Sequence, residues 1–346
     1  LLRWIAREES SYFTFHQRPR RADAIHTLRT TGPLPQPCAI VVQGPLATDD
    51  DFTLNTLALY RRHHPDVALI FSTWEGQDAA ALERARGLGA QVVASPKPAV
   101  TGTQNINLQI VSSHRGIERA AELGARYVLK TRSDQRMYSP QSMPLLLDLC
   151  LRFALPDRAQ GQNARLVACS LNTFRYRLYG VSDMLMFGHI DDMKRYWHPP
   201  LDERPPGTPA APAAPGAIPS LRQFAELRIC ETYLCTEFLK ALGRPLQWTL
   251  RDSLQVLADH FCVVDQEALD LYWPKYEPLV EYRRRRYDHE TTDRPMSFAD
   301  WLLLEQTLAH LPAEAEALLE LPSDHVIAEH LMARPTGSGA EGSRCS

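Results

Sequence analysis

Tyr127–Pro140 reads YVLKTRSDQRMYSP. The first half is apolar and β-prone. The second half sets a single acid, Asp134, between two cations, Arg132 and Arg136. A buried strand that runs straight into so much charge asks for a reason, and the flanking sequence supplies one. Upstream, CAIVVQG (38–44) is an apolar run ended by Gly-Pro and predicts a strand. Thr48 followed by Asp49, Asp50 and Asp51 has the form of a capped helix start, with the helix running through LNTLALYRRHH to Pro65. VALIFSTW (67–74) predicts a strand, 77–88 a helix closed by Gly89, QVVAS (91–95) a short strand, and 105–123 a helix closed by Gly124. YVLKT follows. Strand and helix alternate, and the strands are continuous apolar runs, which predicts an α/β fold with a mostly parallel sheet covered on both faces. Ligands of such sheets bind beyond the carboxyl ends of the strands. Gln43-Gly44, Ser72 to Glu75, Ser95 and Arg132 to Asp134 all stand at such ends. The charge cluster therefore faces the ligand edge and need not be buried.

Beyond Pro140 the alternation weakens. MPLLLDLC predicts a helix, 164–173 and 181–189 predict strands, and 191–197 a short helix. Residues 199–219, rich in Pro, Ala and Gly, predict a surface loop. A helix over 223–242 follows. QWTLRDSLQVLADHFCVVD mixes strand and turn signals, and WPKYEPLVEYRRRRYDHE and SFADWLLLEQTLAHL read as helical.

The chain has 346 residues, 44% apolar and 23% charged, the balance of an ordinary soluble globule. A net charge of −3 offers no basic field for nucleic acid. Seven cysteines, at 38, 150, 169, 230, 235, 262 and 345, form no CxxC pair and read as reduced, buried thiols of an intracellular protein. No apolar run reaches the ~18–20 residues of a membrane helix. The opening LLRWIAREES has neither a Met nor the form of a signal peptide. The expected location is the cytoplasm.

No P-loop, no GxGxxG after a strand, no GxSxG and no HExxH occurs, which removes the familiar ATPase, dehydrogenase, esterase and metalloprotease routes. Asp134 is a candidate ligand for a divalent cation that anchors a diphosphate. It serves equally as a partner of Arg132 or Arg136 in a salt-bridged turn, and spacing does not choose. Lys130, Arg132 and Arg136 have the character to hold phosphate oxygens, or are solvated cations. Asn105, Asn107 and Gln109 lie near a helix N-terminus, where amides read sugar hydroxyls or a base, though Asn105 also suits a plain N-cap. Ser182-Asp183 is read as opening a strand, with the acid accepting sugar hydroxyls, acting as a base, or solvated at the strand edge. Glu231, in RICETYL, is a candidate general base if its helix borders a cleft, and otherwise a surface glutamate. His260, in LADHF, is a candidate late metal ligand, with a core histidine as the commoner role.

Taken in order, CAIVVQGP, LIFSTWEG, QNINLQIVSSHRGIERA and YVLKTRSDQR resemble the WavE lipopolysaccharide-synthesis family, taken as glycosyltransferases of bacterial cell-surface polysaccharide assembly. SDMLMFG, the helix around Glu231 and LDLYWPKY (269–276) add a less specific likeness. The resemblance implies a GT-A-like, Rossmann-type fold and a nucleotide-sugar donor. On it, Gln43, Gly44, Thr73 and Glu75 line the nucleotide pocket. Asn105, Asn107 and Gln109 reach toward the donor sugar, and Lys130 and Arg132 flank it, with Arg136 among the donor-binding cations. Asp134 stands where metal-dependent GT-A enzymes carry an Asp-X-Asp motif and bind Mn²⁺ or Mg²⁺. Here Arg-Ser-Asp-Gln-Arg has one acid, so the flanking cations are alternative neutralisers of the leaving diphosphate. Asp183 and Glu231 fall on the acceptor side, with Glu231 favoured as the base for a hydroxyl of a lipid-linked glycan. Peripheral membrane contact through the basic arm or EYRRRRY (281–287) is part of the same expectation, although a solvated face is the commoner role of such a run.

The implied organisation is an N-terminal arm (1–36), a GT-A-like domain (37–280) with the 199–219 insertion, a C-terminal helical extension (281–335) and a disordered tail (336–346). Two other readings stay open. One is a sugar nucleotidyltransferase, although LATDDD after VVQGP lacks the Gly-rich loop of that class. The other is a non-catalytic nucleotide- or glycan-binding relative, which the missing second acid keeps in play.

Overall fold

The computed structural model describes residues 18–25, 32–204, 221–226, 229–274 and 295–311. Most of the 199–219 loop, EYRRRRY, much of the expected extension and the tail lie outside these residues. Strands β1 (Cys38–Gln43), β2 (Ala68–Trp74), β3 (Gln91–Ser95) and β4 (Tyr127–Arg132) form where the apolar runs predict. They are followed by β5 (Arg136–Met137), β6 (Leu166–Cys169), β7 (Met186–His189), β8 (Phe261–Val264) and β9 (Leu271–Tyr272). The main sheet has the order β3-β2-β1-β4-β7-β6-β8, and β5 pairs with β9 in a separate ribbon. Strands β1 to β4 pair in parallel, β7 runs antiparallel to both β4 and β6, and β6 is parallel to β8. This is the mostly parallel α/β sheet expected. Successive strand side chains point to opposite faces. All six residues of β1 are buried, so both faces are covered at the centre of the sheet.

The helices are α1 (Phe52–His63), α2 (Ala79–Gly87), α3 (Ile106–Glu122), α4 (Ser142–Arg152), α5 (Ile190–Tyr196), α6 (Leu221–Glu226), α7 (Cys230–Ala241), α8 (Leu250–His260) and α9 (Phe298–Thr307). Helix α3 buries Ile106, Ile110, Ile117 and Ala120 against the sheet. Gly116 lies on that face because nothing larger fits. A Cβ there would sit 2.3 Å from Val41 Cγ1 and 3.0 Å from Ser72 Cβ. The close approach brings Ser112 to the end of β1, where its hydroxyl donates to Gln43 Oε1 at 2.7 Å.

Three local expectations are corrected. Thr48 makes no side-chain cap; residues 49–51 form a 3-10 turn, Asp50 and Asp51 have φ of 53° and 52°, and α1 begins at Phe52. Thr53 does the tethering instead, accepting from Ala47 N–H at 2.8 Å and donating to Ser133 C=O at 3.0 Å. Ser182-Asp183 does not open a strand, because β7 starts only at Met186. The carbonyls of Asp183 and Met184 turn to Lys130 rather than into a ladder. The stretch read as mixed strand and turn is mostly a regular helix, α8, with Thr249 Oγ1 accepting from Asp252 N–H, and only its end, Phe261–Val264, is strand. Helix α9 opens with a Ser297/Asp300 capping box and donates Trp301 Nε1–H to Leu257 C=O at 3.0 Å, so it shares the core of the main sheet. The six described cysteines are free and buried; Cys345 lies outside the described residues. No helix among the described residues is long and apolar enough to cross a membrane.

Candidate active site

The carboxyl ends of β1 and β4 lie side by side, with Gln43 in register with Arg132. Gly44 takes φ of 124°, and its missing Cβ leaves room for Ser133 Oγ, which would otherwise be 2.6 Å away. Ser133 N–H donates to Gln43 C=O at 2.8 Å. The turn that follows presents Asp134. Arg132 grips it with both arms, Nε to Oδ1 at 2.8 Å and Nη2 to Oδ2 at 2.9 Å. Trp273, just past β9, donates Nε1–H to Oδ2 at 3.1 Å and lies under the Arg132 guanidinium, 5.2 Å from the ring centroid. Burial works to raise the Asp134 carboxyl, but the Arg132 pair and the Trp273 N–H outweigh it and hold it below the usual range.

Arg136 is not brought to this group. Its guanidinium is buried, donating to Thr56 Oγ1, Arg20 C=O, Tyr138 Oη and Phe52 C=O at 2.8–3.0 Å. It ties Arg20 to α1, so the paired cation of Asp134 is Arg132, with Lys130 acting at longer range. His260 is likewise elsewhere, buried at the end of α8 with Nδ1 2.8 Å from Gln162 Oε1. Burial lowers its imidazole to about 4. It is a core histidine. Among the described residues no group of three His, Cys, Asp or Glu is placed to hold a metal. A cation at Asp134 would first have to displace Arg132. The donor set, as it stands, does not fit Mn²⁺ or Mg²⁺.

The neighbouring strand supplies the other half of the site. Lys130 pairs in register with Met186, so its side chain lies beneath the residues that enter β7. It is fully buried, donates Nζ–H to the carbonyls of Asp183 and Met184, and sits 4.2 Å from the centre of the Trp197 ring. Burial lowers the amine to about 7, against the pull of Asp183. Gln109, on α3, donates Nε2–H to Asp183 twice, to its carbonyl at 2.9 Å and to Oδ2 at 2.8 Å. Glu231 lies in the first turn of α7 and is buried. Its Oε1 is 3.4 Å from Asn172 Nδ2 and 3.7 Å from Arg177 Nη1. Burial first, and then the charge of Asp183, push its carboxyl up to about 7, with Arg177 opposing.

The remaining expected residues are placed as follows. Asn107 is buried and its amide is committed to a reciprocal clamp on Asp202, with a further bond to Val100 C=O. Asn105 is exposed at the cap position of α3 with φ of 62° and makes no side-chain cap. Thr73 is buried with its hydroxyl unbonded, and Glu75 is exposed beyond the end of β2. Lys130, Arg132, Asp134, Gln109, Asp183 and Glu231 thus gather at one edge of the sheet, next to Gln43 and Gly44. Trp273, Asn172 and Arg177 belong there too and were missed. Trp273 lies within LDLYWPKY, where its presence was the available signal. Asn172 and Arg177 fall in an irregular stretch with no periodicity to single them out.

Among solved structures the chain is similar to a protein assigned as a nucleotide-diphospho-sugar transferase from Desulfovibrio desulfuricans G20, at 10% identity and a TM-score of 0.36, covering 78% of this chain and 96% of that one. It is similar to glucosyl-3-phosphoglycerate synthase from Mycobacterium tuberculosis, in complex with Mn²⁺, UDP and its product, at 13% identity and 0.30, covering 62% and 83%. It is similar to a cytidylyltransferase from Leptospira borgpetersenii at 15% identity and 0.31, covering 46% of this chain and spanning 63% of that one. Likenesses this distant carry no inference about residues or activity. No curated protein matches the chain. The model of the WavE lipopolysaccharide synthesis family matches residues 38–327, and the chain belongs to that family.

Proposed function

We propose that the protein transfers a sugar from a nucleotide-sugar donor to a hydroxyl of a bacterial cell-surface glycan that is carried on a lipid. One observation carries the reading. Two carboxylates, Asp183 and Glu231, and the Arg132–Asp134 pair meet around Lys130 at the ligand edge of a parallel sheet. The family of lipopolysaccharide synthesis supports the substrate class.

In this mechanism the nucleotide lies over Gln43 and Gly44, near Thr73. Glu231 takes the proton of the acceptor hydroxyl as its oxygen bonds to the anomeric carbon. The bond from that carbon to the diphosphate breaks, and the electron pair leaves with the phosphate oxygen. Arg132, held flat by Asp134 and Trp273, stabilises the charge that develops there. A carboxyl moved up to about 7 is matched to base catalysis at neutral pH. Asp183 keeps Glu231 basic and orients Gln109 toward the sugar. The work is cytoplasmic, at the inner face of the membrane where lipid-linked acceptors are met. The test is a screen of nucleotide sugars with a crude glycan-lipid pool, read by product mass spectrometry. No product with any donor, and no thermal stabilisation by UDP, GDP or CMP with or without Mn²⁺, would refute it.

A further inference from the structure

Arg177 lies in the connection between β6 and β7, against α7. Its stem occupies the space a side chain at position 180 would fill, since a Cβ on Gly180 would come within 2.6 Å of Arg177 Cγ and Cδ. Its guanidinium lies 4.3 Å from the centre of the Phe174 ring. The segment beneath is pinned by Thr232 Oγ1–H to Leu178 C=O at 3.0 Å and by Tyr179 N–H to Ser253 Oγ at 2.8 Å. The guanidinium is thus pre-positioned, and its side chain stays 16% exposed. Its Nη1 lies 3.7 Å from Glu231 Oε1, an ion-pair contact longer than a hydrogen bond.

That placement needs an explanation. A cation beside a general base weakens the base, and Arg177 opposes the rise that burial and Asp183 impose on Glu231. The conflict disappears if the guanidinium has a second anion to hold when substrate is bound. A base touches the hydroxyl it deprotonates, so a cation this close to it is within reach of the acceptor's own substituents. Resting on the glycosyl-transfer reading, we infer that the acceptor carries a carboxylate or phosphate next to its attacking hydroxyl, and that Arg177 holds that group. Binding of the acceptor then draws Arg177 away from Glu231 and strengthens the base as the hydroxyl arrives. The planar fork suits either anion.

The full chain is assayed against a glycan-lipid pool split by anion exchange. Aqueous hydrofluoric acid strips phosphates from one portion, and carbodiimide amidation masks carboxylates in another. The wild type should transfer to the anionic fraction and lose about tenfold to a hundredfold in rate after one of the two treatments, which names the anion. Arg177→Gln should abolish the difference between treated and untreated acceptor. Gly180→Ala, which leaves Arg177 in the sequence but displaces its stem, should narrow it; a melting curve confirms that each variant is folded. Equal transfer before and after both treatments overturns the inference, as does a preference that survives in both variants. A second arm, without donor, titrates methyl glucuronide, glucose 6-phosphate and methyl glucoside against tryptophan fluorescence. Tighter binding of one anionic sugar that Arg177→Gln removes supports the site even where no fraction yields product, an outcome that would sink the transfer reading alone.

Discussion

Glu231→Gln should make the protein more stable and less active at once, and the two effects have one cause. The Glu231 carboxyl is moved from 4.5 to about 7, by burial and by Asp183. A folded-state value above the unfolded one means that the fold prefers the neutral form. That preference stabilises fully below about pH 4.5 and is lost as the pH rises through about 7. Above that point the native state carries a buried carboxylate at a cost of about 3 kcal/mol relative to its neutral form. Gln is neutral at every pH. The variant should therefore match the wild type near pH 4.5 and exceed it at about pH 8 by a difference of that order, less what Arg177 loses with its countercharge. Turnover moves the other way, falling about 10²–10⁴-fold with the base gone. The wild-type rate should drop about tenfold for each pH unit below 7, where Glu231 is protonated. Urea unfolding at both pH values and product mass spectrometry across the range read the two halves. A stability difference that does not change with pH, or a wild-type rate flat down to about pH 5, would refute the raised carboxyl and with it the assignment of the base.

Asp134→Asn removes the bidentate partner of Arg132, and transfer should fall by about tenfold or more while the protein still melts cooperatively; unchanged turnover would leave Asp134 as a turn residue. Because that carboxylate is already engaged by Arg132, EDTA should leave transfer intact, and a loss restored by Mn²⁺ would show that the pair opens to a metal. Asp183→Asn withdraws the charge that helps raise Glu231, so the acid limb of the rate profile should move to lower pH; a limb that stays put would assign the rise to burial alone. Gly116→Ala should cost about 1–3 kcal/mol in urea unfolding, because its Cβ would meet Val41 at 2.3 Å, and an unchanged midpoint would mean that α3 stands further from the sheet.

The strands and helices up to β4 were legible because their signals are local. Apolar runs set β1 to β4, closed by Gly or Pro at β1 to β3 and by the charge cluster at β4, and Gly89 and Gly124 follow the ends of α2 and α3. The misread pieces are those where a long-range bond decides. Residues 181–185 adjoin the apolar run of β7, yet Lys130, more than fifty positions away in sequence, takes the carbonyls of Asp183 and Met184. Thr48 has the residue type of a cap, yet Thr53 and Ser133 hold that loop. The same limit applies to the site. Asp134, Arg132 and Asp183 were found as charged residues at element ends, and Glu231 as an acid inside a helical pattern. Arg136 looked equivalent to Arg132 in sequence, but it follows the turn on a separate short strand, β5, and its guanidinium goes to α1 and Arg20. Trp273 reaches Asp134 only because β9 pairs with β5, a contact between strands far apart in the chain.

Asp183 links the two unusual groups of the site. Burial lowers Lys130 to about 7 and raises Glu231 to about 7, acting on a cation and an anion in opposite senses. Asp183 counters burial at Lys130 and reinforces it at Glu231. A neutral group in its place would release Lys130 toward the uncharged amine and Glu231 toward the free carboxylate, which is more fully ionised but a weaker base for a hydroxyl proton. With Asp183 present, little work separates the protonated and deprotonated forms of this corner at neutral pH. The charge at the end of β4 is therefore not an exception to the burial of the sheet. Lys130 is inside it and Arg132 is at its lip, where the proposed transfer would place the departing phosphate.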